Sequence, residues 1–278
     1  MKQIKKYIMN IPVGNYLSVA CLSALLLATG GCEEGEVSSP PATNPVEVSL
    51  YTKALPEGSE GMTYRLLVFN KENDKCVKNI SFVPGSSSVS LASGTYRFTA
   101  LSVPEGLDLP AVDALNGVKP DLSVGFAANT VREFRISAPT EVEVGEPSTA
   151  YTATLSLATA VVSLNLSNLP ADLKVAFKLS RMYTAVGLDG RTYSGETAYP
   201  LNLQGETVCF PCNGNVELTY TAGEGSPQTI RVGNLLAAGN RLSVNLAWSE
   251  NARIFLLLSS TVTDWTPGNG NGEEGDAE

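Results

Sequence analysis

Five cysteines and no histidine set the chemical vocabulary of this chain. Two cysteines stand as Cys209-Phe-Pro-Cys212, the one spacing here that suggests redox or metal work. A Cys-x-x-Cys pair does disulfide exchange when it opens a helix in a βαβ setting. This one lies between two strand-like runs. A zinc ion would need more ligands than Cys76 alone can add. The pair therefore reads as small buried residues or as a local disulfide. The lack of histidine removes Ser-His-Asp triads, Cys-His pairs and imidazole-ligated zinc. No lysine follows a serine by three residues, and neither Gly-x-Ser-x-Gly nor Gly-x-x-x-x-Gly-Lys occurs. Paired carboxylates can lie far apart in a sequence, but nothing argues for them. The expectation is a protein that is not an enzyme, with no cofactor and no metal.

The remaining reactive residue is Cys32. Upstream, Lys2, Lys5 and Lys6 form a basic head, and residues 17–28 are a mostly apolar run of twelve. A lasting transmembrane helix needs about 20 apolar residues, so this run is a secretory signal rather than a span. Thr29, Gly30 and Gly31 lead directly into Cys32. That ending resembles the lipobox of bacterial lipoproteins, in which the cysteine thiol is lipidated and the chain is cut just before it. Glu33, Glu34 and Glu36 follow at once. They resemble the acidic surface-export signal of Bacteroides-group lipoproteins, and they read equally as a solvated linker.

Cleavage before Cys32 leaves 247 residues, and because the leader carries three lysines and no acid, the net charge of −9 becomes −12. Such a chain repels phosphate, so no nucleic acid is expected as a partner. The mature length suits one large or two ordinary domains. Apolar residues make up 43% and charged ones 17%, the balance of a globular chain, and the Thr, Ser, Val and Leu content favours strands.

The elements that must position these residues are read as short strands. VEVSLY at 46–51 alternates as a half-buried strand. MTYRLLVF at 62–69 and CVKNISF at 76–82 flank the turn NKEND. SSSVSLASGTYRFTAL at 86–101 gives two strands hinged at Gly94, with Tyr96, Phe98 and Ala100 on one face. A long Pro/Gly loop and VREFRI at 131–136 close the first unit. Beyond residue 150 run AYTATLSL, AVVSLNLSNL, LKVAFKLSR, ETVCF, NVELTYT, QTIRV, NRLSVNLAW and ARIFLLLSSTVTDW. Regular short strands between turn signals imply β-sandwiches. LASGTYRFTAL at 91–101 and LAAGNRLSVNL at 236–246 echo each other, each with a glycine before a strand. The expected fold is all-β, with two tandem Greek-key sandwiches of transthyretin or immunoglobulin type. The expected layout is a signal peptide at 1–31, an acidic Pro-rich tether at 32–45 and an N-terminal sandwich at 46–140. A linker at 141–149, a C-terminal sandwich at 150–266 and a disordered acidic tail at 267–278 complete it.

These pieces together resemble the fimbrillin family of the Bacteroides group. The resemblance rests on the lipoprotein signal, YRLLVFN at 64–70 followed by LASGTYRFTAL, TATLSLATAVVSLNL at 152–166, and VTDW at 262–265. It implies a lipid-anchored protein at the outer membrane and cell surface, within a fimbrium, whose partners are other fimbrial subunits and host or glycan ligands. In stalk subunits of that family an arginine-directed protease removes the first strand, and a neighbour's strand fills the groove. Anchor members keep the strand and the lipid. No arginine lies between Cys32 and Arg65, Arg65 falls inside a strand, and Lys53 is the basic residue after the first strand. The tail TPGNGNGEEGDAE lacks the apolar alternation of a donor strand. The resemblance thus implies an anchor-like or accessory subunit that works by β-strand addition, with a role in adhesion.

The rival reading is a non-catalytic glycan-binding surface lipoprotein on the same architecture. It needs an exposed aromatic platform. Trp248 shares the face of Leu242, Val244 and Leu246 and reads as core. The candidates are Trp265 and the loop tyrosines Tyr183, Tyr193 and Tyr199.

Overall fold

The computed structural model describes residues 45–53, 63–109, 121–127, 130–145 and 149–267. Cys32, Glu33, Glu34, Glu36 and the tail from residue 268 lie outside them. The described residues form one compact unit. The described residues are all-β and contain no helix.

The first eleven strands are β1 (Val46–Thr52), β2 (Tyr64–Asn70), β3 (Cys76–Phe82), β4 (Ser87–Leu91), β5 (Gly94–Ser102), β6 (Leu107–Asp108), β7 (Ser123–Phe126), β8 (Arg135–Ser137), β9 (Thr140–Val144), β10 (Ala150–Ala153) and β11 (Leu155–Leu157). All of them but β6 and β7 build two facing sheets. One has the order β10-β1-β4; the other runs β11-β8-β5-β2-β3, with β9 also on β5. Val48 and Leu50 from the small sheet meet Leu66, Val68, Phe98 and Ala100 from the large one. Tyr96, Phe98 and Ala100 share a face, as strand alternation requires.

The second group is β12 (Ala160–Ser167), β13 (Val175–Met182), β14 (Ala185–Gly187), β15 (Tyr193–Ser194), β16 (Thr197–Pro200), β17 (Glu206–Cys209), β18 (Asn215–Ala222), β19 (Gln228–Leu235), β20 (Asn240–Ser249) and β21 (Ile254–Asp264). Sheet β17-β12-β20-β21 packs on sheet β16-β13-β18-β19. Leu242, Val244, Leu246 and Trp248 line one side of this core and Phe177, Leu179 and Leu218 the other. The two glycines of the sequence echo stand at the heads of β5 and β20, and each of those strands is interior to its sheet.

A third core explains β2. Its residues 66–69 are buried without interruption, because Leu66 and Val68 face the small sheet while Leu67 and Phe69 face the other way. There they meet Val186, Leu188 and Phe210 from beyond β12. A four-stranded sheet, β15-β14-β7-β6, covers this side and draws strands from both halves of the sequence.

The joint between the halves differs from the sequence expectation. Residues 141–144, read as the start of a linker, belong to β9, which pairs antiparallel with β5 from Gly94↔Val144 to Phe98↔Thr140. Their Val142 and Val144 alternate with Glu141 and Glu143, and Val144 is buried. β10, expected to open the second sandwich, pairs parallel with β1, and Tyr151 and Ala153 join the first core. The chain changes sandwich only at Ala158 and Thr159. That crossing is buried and bonded: Ala158 N–H donates to the Phe134 carbonyl at 2.8 Å, and Phe134 N–H donates to Thr159 Oγ1 at 3.2 Å.

Candidate functional site

The first strand is where sequence and geometry meet. β1 lies between two partners that do not pair with each other. It runs antiparallel to β4 from Val46↔Leu91 to Leu50↔Ser87, and parallel to β10 from Ser49↔Ala150 to Thr52↔Ala153. Alternation aims Val48 and Leu50 inward, both fully buried, and Glu47 and Tyr51 outward. The ends are held as well. Ser49 N–H donates to the Thr149 carbonyl at 3.1 Å, and Lys53 N–H to the Ala153 carbonyl at 2.9 Å. Ser88 Oγ donates to Glu47 Oε2 at 2.7 Å. Hydrogen bonds from the Ser88 and Ser90 side chains hold the Glu47 carboxyl below its ordinary pKa.

Around the seat of β1 the supporting side chains are fixed by contacts of their own. Tyr151, opposite Leu50, packs edge-on against Phe98 with ring centroids 4.9 Å apart. Its hydroxyl lies 3.3 Å from Ser137 Oγ, which accepts the Ala100 N–H at 2.9 Å. Burial pushes the Tyr151 phenol up. Taking β1 away would leave an apolar slot between β4 and β10 with a row of unpaired backbone groups on each side, which is the geometry that accepts an incoming strand. Arg65 cannot serve as a release point in the folded chain. It sits in β2, paired on both flanks, with Nη1 donating to Asn79 Oδ1 at 3.1 Å.

The tyrosine loop is placed elsewhere and used differently. Within it β14 pairs with β15 on one side and with β7, from the first half, on the other. Tyr183 and Tyr193 stack on each other at 5.4 Å, and Tyr193 packs edge-on against Phe210. The Tyr193 hydroxyl donates to the Ala158 carbonyl at 3.0 Å, and burial, with help from Asp189, pushes its pKa up to about 12. Tyr199 is buried, and its hydroxyl accepts the Val131 N–H at 3.2 Å. Trp265, read as a candidate platform, is buried too, with its backbone N–H donating to the Gly239 carbonyl at 2.7 Å. Each of these aromatics meets residues far away in sequence, which no local pattern announces.

A cavity of about 480 Å³ lies beside Tyr220 and Trp248, walled by Asp172, Glu224, Glu250 and Arg253. Trp248 is core, as its face requires, and its indole N–H donates to Glu250 at 2.8 Å. Cys209 and Cys212 are free, buried thiols. Burial raises both, Cys212 to about 12, so neither is a thiolate near neutral pH. Among the described residues no group of three or more Cys, Asp or Glu is arranged to hold a metal.

No protein-family model matches this chain, and no curated protein matches its sequence. Solved structures match its fold. A Bacteroides thetaiotaomicron structure described as candidate polysaccharide-binding proteins superposes with a TM-score of 0.57 at 12% identity, covering 81% of this chain and 99% of that one. A candidate adhesin from Bacteroides ovatus gives 0.56 at 10% identity, over 81% and 96%. The fimbrial anchor protein Mfa2 of Porphyromonas gingivalis gives 0.55 at 12% identity, over 80% and 98%. At these identities the likeness is one of fold.

Proposed function

We propose that this chain is a fimbrillin-family lipoprotein, an anchor-like or accessory subunit of a fimbrial assembly with a role in adhesion and no catalytic activity. Lipid on Cys32 tethers it to the outer membrane, with Glu33, Glu34 and Glu36 directing it to the cell surface. Other subunits engage it by β-strand addition. The observation that carries this reading is the seat of β1. The strand is interior to its sheet, its side chains fill the core, and no arginine precedes it in the mature chain to release it. While β1 holds its own groove, the chain ends a polymer rather than extends one. The fold shared with Mfa2, a fimbrial anchor, and with a candidate adhesin supports the same reading.

The test is made in cells, comparing the intact gene, its deletion and Cys32→Ala. Deletion should change the length or attachment of surface fimbriae, and Cys32→Ala should release the protein from the membrane fraction. Unchanged fimbriae together with lost binding to one glycan would overturn the fimbrial reading in favour of the glycan-binding one.

A further inference from the structure

Open sheet edges differ sharply in how they are defended. Monomeric proteins blunt such edges with short strands, charges, prolines or bulges. Here β17 and β16 have four residues each, and β16 ends on Pro200. β19 carries the exposed Arg231 and a left-handed Gly233. β3 carries Lys78. β21 is the exception. It is eleven residues long, pairs among the described residues with β20 on one side only, and has no charged residue from Ile254 to Thr263. Leu258 is 61% exposed and Leu256 46%, with Leu257 and Val262 also open.

The pattern of β21 is self-complementary. Leu246 pairs with Leu257 and Asn245 with Ser259, so Leu258 is an inserted residue. The insertion switches the faces. Phe255 and Leu257 lie on the core face before it, and Ser260 and Val262 after it, each opposite a buried residue of β20. An antiparallel two-fold pairing of β21 with itself, Phe255 opposite Val262 and Leu257 opposite Ser260, therefore matches core face with core face. Hydrogen-bond direction matches as well. The β20 partners of Phe255 and Val262 are Trp248 and Leu242, an even number of residues apart, so both backbones are in the same phase. This register brings Arg253, in the turn that leads into β21 of each copy, to the end where Asp264 closes β21 of the other, and these are the charges that bracket the strand. In the same register Leu256, Leu257 and Leu258 of each copy lie opposite Thr261, Ser260 and Ser259 of the other, and the two Leu258 residues flank the two-fold axis.

We propose that β21 is a homodimer interface, joining two copies of this chain through an antiparallel β21–β21 pair into one continuous sheet. The occupant of this edge is a second copy because both the face switch and the terminal charges are complementary to β21 itself. This inference is independent of the fimbrial reading.

The test is sedimentation equilibrium on the chain from Glu33 onward. The expected result is a concentration-dependent dimer. Leu258→Lys sets two ammonium groups beside the two-fold axis and should return the chain to a monomer with an unchanged circular dichroism spectrum. Arg253→Asp alone and Asp264→Arg alone should each raise the dimer dissociation constant at least tenfold, and the two together should restore it. A chain that is monomeric at every concentration overturns the proposal. So does a dimer that survives Leu258→Lys, and so does failure of the double exchange to rescue a dimer that both single exchanges weaken.

Discussion

At the scale of single residues, the buried titratable groups make a signed prediction. Cys212 and Tyr193 ordinarily titrate near 9.0 and 10.0, and in the fold burial moves each to about 12. A raised folded-state pKa means that the neutral form is favoured by folding. The stability it contributes is fully present below the unfolded value and is lost as pH rises through the folded one. The urea midpoint should therefore fall between about pH 9 and 12, and the decline should shrink in Cys212→Ala and in Tyr193→Phe. Tyr193→Phe also removes the bond to the Ala158 carbonyl, at a cost of about 1 kcal/mol. Tyrosinate absorbance followed against pH checks the assignment, because one late phenol should vanish in Tyr193→Phe. Residue roles were legible where their cause is local. Trp248 reads as core from its alternation with Leu242, Val244 and Leu246, and it is core. Tyr199 and Trp265 are buried and bonded to Val131 and Gly239, far away in sequence, and no spacing within their own segments encodes that.

At the scale of elements, the strand pattern was readable and the pairing was not. β1 is visible as VEVSLY, but its central place between β4 and β10 depends on a strand a hundred residues away. The segment 137–150 shows how composition misleads. Prolines and glutamates suggest a linker, yet the period-two placing of Val142 and Val144 is that of β9. Burial of Val48 and Leu50 makes β1 a load on the whole first core, with side chains of this size contributing about 1.5–3 kcal/mol each. Leu50→Ala should cost about 2–5 kcal/mol in chemical denaturation. Deleting the chain through Thr52 should expose the slot and produce oligomers larger than those of the intact chain. A peptide of sequence VEVSLYT should reverse that association, whereas a peptide with aspartates in place of its second valine and its leucine should not. An unchanged mass distribution after the deletion would show that β1 fills no groove worth exposing.

At the scale of the whole molecule, the three cores decide how the protein unfolds. Domains in tandem usually meet through modest, polar surfaces and melt separately. This chain departs from that in three ways. Leu67, Phe69 and Leu101 of the first sandwich share a fully buried cluster with Val186, Leu188 and Phe210 from beyond the crossing. The sheet β15-β14-β7-β6 pairs strands from both halves, with Val124 opposite Val186. The crossing itself is two buried residues rather than a tether, and Tyr193 and Gly239 of the second half bond to its carbonyls. Neither half can open without exposing the third core, so unfolding of either removes support from the other. Residues 33–278 should therefore melt in a single calorimetric transition whose calorimetric and van't Hoff enthalpies agree. Leu188→Asp puts a carboxylate into the shared cluster and leaves each sandwich's own core intact. That variant should split the melt into two transitions, the first at a lower temperature than the intact chain's. Two separate transitions in the intact chain would mean that the shared cluster and sheet do not couple the sandwiches.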